Sequence, residues 1–231
     1  MMKNGLLKNY YPKIENQLLN SKNRMRQYFL CYTVLFCVMF VAVFLWNFLL
    51  RKTFIWEADG WEQHYKAMIY FAQHVRKAVK ILIAEHRIYF PEWDFALGEG
   101  SDILQALHFY VIGDPFALPC IVVPTNYMWI YYGFSIMLRL YAAGAAFSYL
   151  CFYNNKNVGR LAVMGGTLSY IFCSWAIYNA NRHPFFLGPM VYLPLIVLGI
   201  EKIIKKEKPY VFIIAVFFTA TSHFYFFYVI V

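Results

Sequence analysis

The sequence predicts an all-α membrane protein, a polytopic helical bundle, and three observations carry that expectation. Of its 231 residues, 61% are hydrophobic, 21% aromatic and only 14% charged, a balance unlike that of a soluble globular domain. Long apolar runs recur at about 28–50, 127–152, 161–178, 185–200 and 210–231. Basic residues gather in alternate connections between those runs, as the positive-inside rule requires of a multi-pass chain.

The first run has no charged residue between Tyr28 and Leu50. At about 1.5 Å per residue it exceeds a hydrocarbon core of about 30 Å. It is too long for a signal-peptide core and lacks a small-residue cleavage site, so it reads as a retained anchor. The connection 51–126 follows. Trp61, Tyr65, Met68, Ile69, Ala72, Val75, Val79, Leu82 and Ile83 recur there at steps of three or four, with Lys66, Gln73, Lys77 and Lys80 on another face. That pattern predicts an amphipathic helix of the kind that lies in a membrane interface. From Phe90 to Asp102 the glycines predict irregular turns, and Gly113-Asp114-Pro115 stops a further apolar stretch. The second run carries Arg139 near its middle, and the fourth can continue through Ile203 and Ile204. Five spans after so large a first loop read as the front part of a longer protein.

Lys3, Lys8, Lys13, Lys22, Arg24 and Arg26 precede the first span, forming a basic tail over 1–27. Lys156 and Arg160 follow the second span; Lys202, Lys205, Lys206 and Lys208 follow the fourth. These connections share one face, expected to be cytoplasmic. The long loop and the turn 179–184 are then external. That loop holds seven bases against nine acids, so the net charge of +9 belongs to the cytoplasmic face and is no nucleic-acid footprint. The five cysteines form no CxxC pair, and neither a disulfide nor a thiolate metal site is implied.

Four stretches carry a resemblance. They are Ala58-Asp59-Gly60-Trp61-Glu62-Gln63-His64-Tyr65; Phe90-Pro91-Glu92-Trp93-Asp94-Phe95 through Gly98-Glu99-Gly100-Ser101-Asp102 to Gly113-Asp114-Pro115-Phe116; His183-Pro184-Phe185-Phe186 through Pro194-Leu195 to Gly199-Ile200-Glu201; and Ser222-His223-Phe224-Tyr225-Phe226-Phe227-Tyr228. In order and spacing they resemble the N-terminal part of the YfhO family, bacterial multi-pass proteins of the GT-C glycosyltransferase class. The resemblance implies a GT-C-like domain over 28–231 and transfer of a sugar at the external face. The donor would ride on a polyprenyl phosphate, and the acceptor would be a cell-envelope polymer such as teichoic acid. Enzymes of that class keep an acidic residue in the first external loop beside the first span, and Asp59 matches that position.

Such a reaction needs a base for the acceptor hydroxyl and positive charge or hydrogen-bond donors for the departing phosphate. Asp59 suits the base. Beside that role stands a structural one, since Asp59 followed by Glu62 could cap the amphipathic helix. Asp102 is the expected catalytic helper, and Glu62, Gln63, Asp94 and Asp114 are candidate substrate contacts. Asp94, Asp102 and Asp114 could also hold a divalent cation such as Mg²⁺, Mn²⁺ or Ca²⁺, or simply tie turns to nearby N–H groups. Arg139, costly within a membrane span, is expected to meet the phosphate, a carboxylate or backbone carbonyl, or a helix beyond residue 231. Arg182 and His183 are candidates on the external turn, with Lys77 and Lys80 as further cations. His64, His74, His86 and His108 lack metal-ligand spacing and read as interfacial or solvated. No GxxxxGK[ST], GxGxxG or DxD run is present, which points away from nucleotide-sugar chemistry. A transporter or flippase for lipid-linked saccharides, and a non-catalytic fragment or membrane partner, are the rival readings.

Overall fold

The protein is described by a computed structural model that covers residues 24–108, 110–155 and 157–231. Most of the basic tail, including Lys3, Lys8, Lys13 and Lys22, lies outside the described residues, as does Lys156. Ten α-helices among the described residues form the body: α1 (Arg24–Val43), α2 (Leu45–Leu49), α3 (Lys66–Glu85), α4 (Ile103–His108), α5 (Met128–Asn154), α6 (Arg160–Ile171), α7 (Ser174–Arg182), α8 (Gly188–Ile204), α9 (Tyr210–Ser222) and α10 (Phe224–Ile230). A two-residue antiparallel ladder joins β1 (Trp93–Asp94) to β2 (Ser101–Asp102).

In α1, Tyr28, Tyr32, Phe36 and Phe40 are buried at steps of four and make one stripe facing the bundle. Leu30, Val34, Val38 and Val41 on the other flank are apolar yet exposed, the arrangement expected of a helix whose outer solvent is lipid. Polar side chains inside the bundle pair with one another. Tyr28 Oη lies 2.8 Å from Ser148 Oγ, and Ser148 Oγ lies 2.8 Å from Thr167 Oγ1, which ties α1, α5 and α6 together. Small residues allow close approach: a Cβ at Gly144 would sit 2.2 Å from the Tyr32 hydroxyl, and one at Gly199 2.6 Å from Phe212 Cα.

Three helices are long and apolar enough to cross a membrane alone: Arg24–Val43, Thr125–Asn154 and Pro184–Ile204. The run expected as a third span is a bent pair, α6 and α7, meeting at 43°. The expected fifth is broken too. Helix α9 has 13 residues, covering only about 20 Å, and the chain turns extended at His223 (φ −162°) before α10 resumes. The connection 51–126 is more ordered than its turn-rich sequence suggests. The amphipathic helix forms as α3, with Ala67, Met68, Phe71 and Ala72 buried in its first half. Its second half leaves Val79, Leu82 and Ile83 exposed, as an interface-lying helix should. Arg76 anchors it, donating from Nε to the Ile121 carbonyl at 2.6 Å and also to the carbonyls of Cys120 and Val123.

Candidate functional site

The first residues after α2 set the geometry. The helical turns begin at Ala58, whose carbonyl accepts from the N–H groups of Trp61 and Glu62. Residues Gly60–Tyr65 then form a π-helical turn, the wide-ringed geometry often found at functional positions. Gly60 is needed because a Cβ there would lie 2.9 Å from the Trp56 Cβ.

Asp59 has helical dihedrals (φ −57°, ψ −29°) and makes no side-chain cap, so the capping role suggested by Asp59 and Glu62 is not what the structure shows. A capping residue sits in extended backbone, whereas Asp59 already belongs to the turn. Its Oδ1 instead accepts from Gln63 Nε2 at 3.0 Å, and Gln63 Oε1 accepts from the Tyr110 hydroxyl at 2.7 Å. Glu62 is drawn away to Lys66 Nζ at 2.5 Å. Asp59, half-buried, is therefore positioned by side chains and keeps its carboxylate out of the backbone ladder.

His64 corrects an expectation. The sequence places it among interfacial or solvated histidines, yet it is only 5% exposed because the π-turn rotates it inward. Its Nε2 lies 3.1 Å from His183 Nδ1, bringing the turn 179–184 to the long loop. Burial, then the neighbouring His183, push the His64 pKa down to about 4, with Asp59 opposing. Burial, then the Asp59 charge, push the Tyr110 hydroxyl up. Arg182 lies 4.3 Å over the Trp56 ring and 5.2 Å over Tyr178, and Trp56 in turn meets the His183 ring edge-on. The structure thus unites Asp59, Gln63, His183 and Arg182 around Trp56, His64 and Tyr110. A cleft of about 370 Å³ opens beside Gln63 and Tyr110, lined also by Glu62, Lys66 and Ser101.

The other carboxylates serve turns. Asp94 accepts from the Tyr70 hydroxyl at 2.5 Å and from the Ala96 N–H at 2.9 Å, which in that order hold its carboxyl below the usual range. Asp102 Oδ1 accepts from the Gln105 N–H at 2.7 Å and caps α4. Asp114 Oδ1 accepts from the Phe116 N–H at 2.9 Å, and its Oδ2 pairs with Arg139. Among the described residues, no group of three His, Cys, Asp or Glu gathers as a metal site.

Arg139 is 1% exposed. Besides Asp114, it donates to Ser135 Oγ at 3.0 Å and lies between the rings of Phe116 and Phe185. Of the partners open to it in the sequence, a carboxylate of this chain is the one found. The segment carrying Asp114 must enter the bundle to reach it. Gly113 makes that entry possible, with φ +83° and no room for a Cβ, which would fall 2.1 Å from the Thr221 carbonyl oxygen.

Fold and site together define a polytopic α-helical membrane protein whose long first connection packs back onto the bundle. A family profile described as Bacterial membrane protein YfhO matches residues 26–231, and the chain belongs to that family. It is 33% identical over 100 residues to the "Uncharacterized protein YfhO" of Bacillus subtilis (strain 168). That match covers 42% of this chain and 10% of the relative, so the chain spans a small part of that relative's length. No solved structure matches.

Tyr110 and Arg76 were not singled out by sequence reasoning, and His64 was read only as interfacial or solvated. Glycine next to Trp-Glu-Gln-His signals a turn, but no residue type announces the π geometry that turns His64 inward.

Proposed function

We propose that the chain is the N-terminal part of a GT-C-type glycosyltransferase working at the external face, with its N-terminus cytoplasmic. It moves a sugar from a polyprenyl phosphate to a hydroxyl of a cell-envelope polymer such as teichoic acid. The observation that carries the reading is Asp59, a carboxylate free of any capping duty and held by a relay of Gln63 and Tyr110, both of which line an open cleft. The acceptor oxygen attacks the anomeric carbon as Asp59 takes its proton. The bond from that carbon to phosphate breaks, and the phosphate leaves with the electron pair. Gln63 orients the carboxylate, and Arg182 with His183 borders the reacting groups. Asp102, Asp94 and Asp114 shape the loops around the cleft. Changing Asp59→Asn in the gene should abolish envelope glycosylation while membrane abundance holds; unchanged glycosylation would remove Asp59 from the base role.

The breaks at Phe172–Cys173 and at His223 favour a second reading, because discontinuous helices recur in transporters. Movement of labelled lipid-linked saccharide across vesicles without sugar transfer would select it.

A further inference from the structure

The phosphate contacts expected from sequence are engaged elsewhere: Arg139 is buried against Asp114, and Arg182 is stacked on Trp56. Four other cations of the long connection are also engaged. Lys66 pairs with Glu62, Arg87 with Glu85, Arg76 grips three carbonyls, and Lys77 lies over Tyr89.

A second cleft, of about 640 Å³, opens where the chain leaves α2 and meets the start of α5. Arg51, Lys52, Thr53, Trp61, Tyr65 and Trp129 line it. Arg51 and Lys52 are exposed and make no ion pair among the described residues. Glu57 lies on the same wall, leaving the two cations in excess by one charge.

Depth identifies what such a cleft meets. Leu45, Trp46, Leu49 and Leu50 are all exposed, so the lipid-facing surface continues up to residue 50. Arg51 is the first charge beyond it. Trp61 and Trp129, each about half exposed, mark the aromatic belt at headgroup level. A cationic cleft bordered by tryptophans at that depth faces lipid phosphates rather than soluble anions. Its inner wall includes Trp61 and Tyr65 of the same π-turn whose Gln63 lines the cleft beside Asp59.

We propose that this cleft binds the phosphate headgroup of a membrane lipid through Arg51 and Lys52, presenting the lipid to the turn that carries the Asp59 site. The inference rests on the transferase reading for its choice of polyprenyl phosphate as the first probe, and it assigns that lipid's phosphate contact.

The test is lipid retention by this chain purified in detergent, read by native mass spectrometry with undecaprenyl phosphate, undecaprenol and phosphatidylglycerol. Undecaprenyl phosphate should be held in preference to undecaprenol. The variant Arg51→Asn with Lys52→Gln should weaken retention about thirtyfold, the factor expected of two interfacial cations. Asparagine tolerates the positive φ of 52° at position 51. The charge-keeping pair Arg51→Lys with Lys52→Arg should retain the lipid. Competition by phosphatidylglycerol assigns the site to bulk anionic lipid, and failure to compete assigns it to the polyprenyl carrier; either supports a headgroup-phosphate site. Equal retention by the neutral double variant and wild type would overturn it, as would equal loss in the charge-keeping variant. No sugar transfer is read, so failure here leaves the Asp59 reading standing, and Asp59→Asn should bind the lipid as wild type does.

Discussion

His64 Nε2 lies 3.1 Å from His183 Nδ1, so the π-turn of the long connection touches the short turn between α7 and α8. Sequence separation of 119 residues is closed by one side-chain pair beside Asp59. Burial and a second imidazole both disfavour charge on His64.

That gives a stability signature. The folded His64 pKa of about 4 lies below the ordinary 6.5, so the unfolded chain binds the extra proton. The contribution is fully present above about pH 6.5 and is lost as pH falls toward 4, amounting to about 3 kcal/mol at most. Thermal unfolding in detergent from pH 7.5 to 4.5 should show the midpoint falling in wild type and falling less in His64→Gln. Parallel slopes would contradict this assignment.

The Asp114–Arg139 pair makes a different prediction. Asp114→Ala leaves a buried guanidinium uncompensated and should cost about 3–5 kcal/mol. Replacing both residues, Asp114→Ala with Arg139→Met, should recover most of that loss, because no charge is left unpaired. Unfolding midpoints of the two single variants and the double variant measure the coupling; additive losses would show that the pair does not hold the loop in the bundle.

Asp102 separates a cap from a catalytic helper. Its carboxylate satisfies the Gln105 N–H, so Asp102→Ala should cost about 1 kcal/mol, whereas Asp102→Ser keeps a capping oxygen and should restore stability. Sugar transfer by the serine variant near the wild-type level would assign Asp102 to the loop's architecture, and a large loss with stability intact would assign it to the chemistry.

Much of the architecture is legible in residue patterns. The uncharged run 28–50 holds most of α1, and steps of three and four between Trp61 and Ile83 foretell α3. The break at Phe172–Cys173 is not legible, since both residues are as apolar as those that continue a helix. The site was half visible. Asp59, Gln63, Arg182 and His183 are found together, but Tyr110 joins them only because the chain after α4 folds back onto the π-turn. Arg139 announced a buried partner by its position, while the partner's identity depended on Gly113 letting the loop enter the bundle. Arg51 and Lys52 belong to no motif in the sequence, and their place on a shared cleft with Trp61 and Trp129 is visible only in the structure.

The most direct measurement is the rate of labelled-sugar transfer from a polyprenyl phosphate donor in membranes carrying wild type or Asp59→Asn at matched protein levels. Loss of the general base predicts a rate lower by about 10²–10⁴-fold, with lipid retention at Arg51 and Lys52 unchanged. Transfer by Asp59→Asn within a few-fold of wild type would contradict the account.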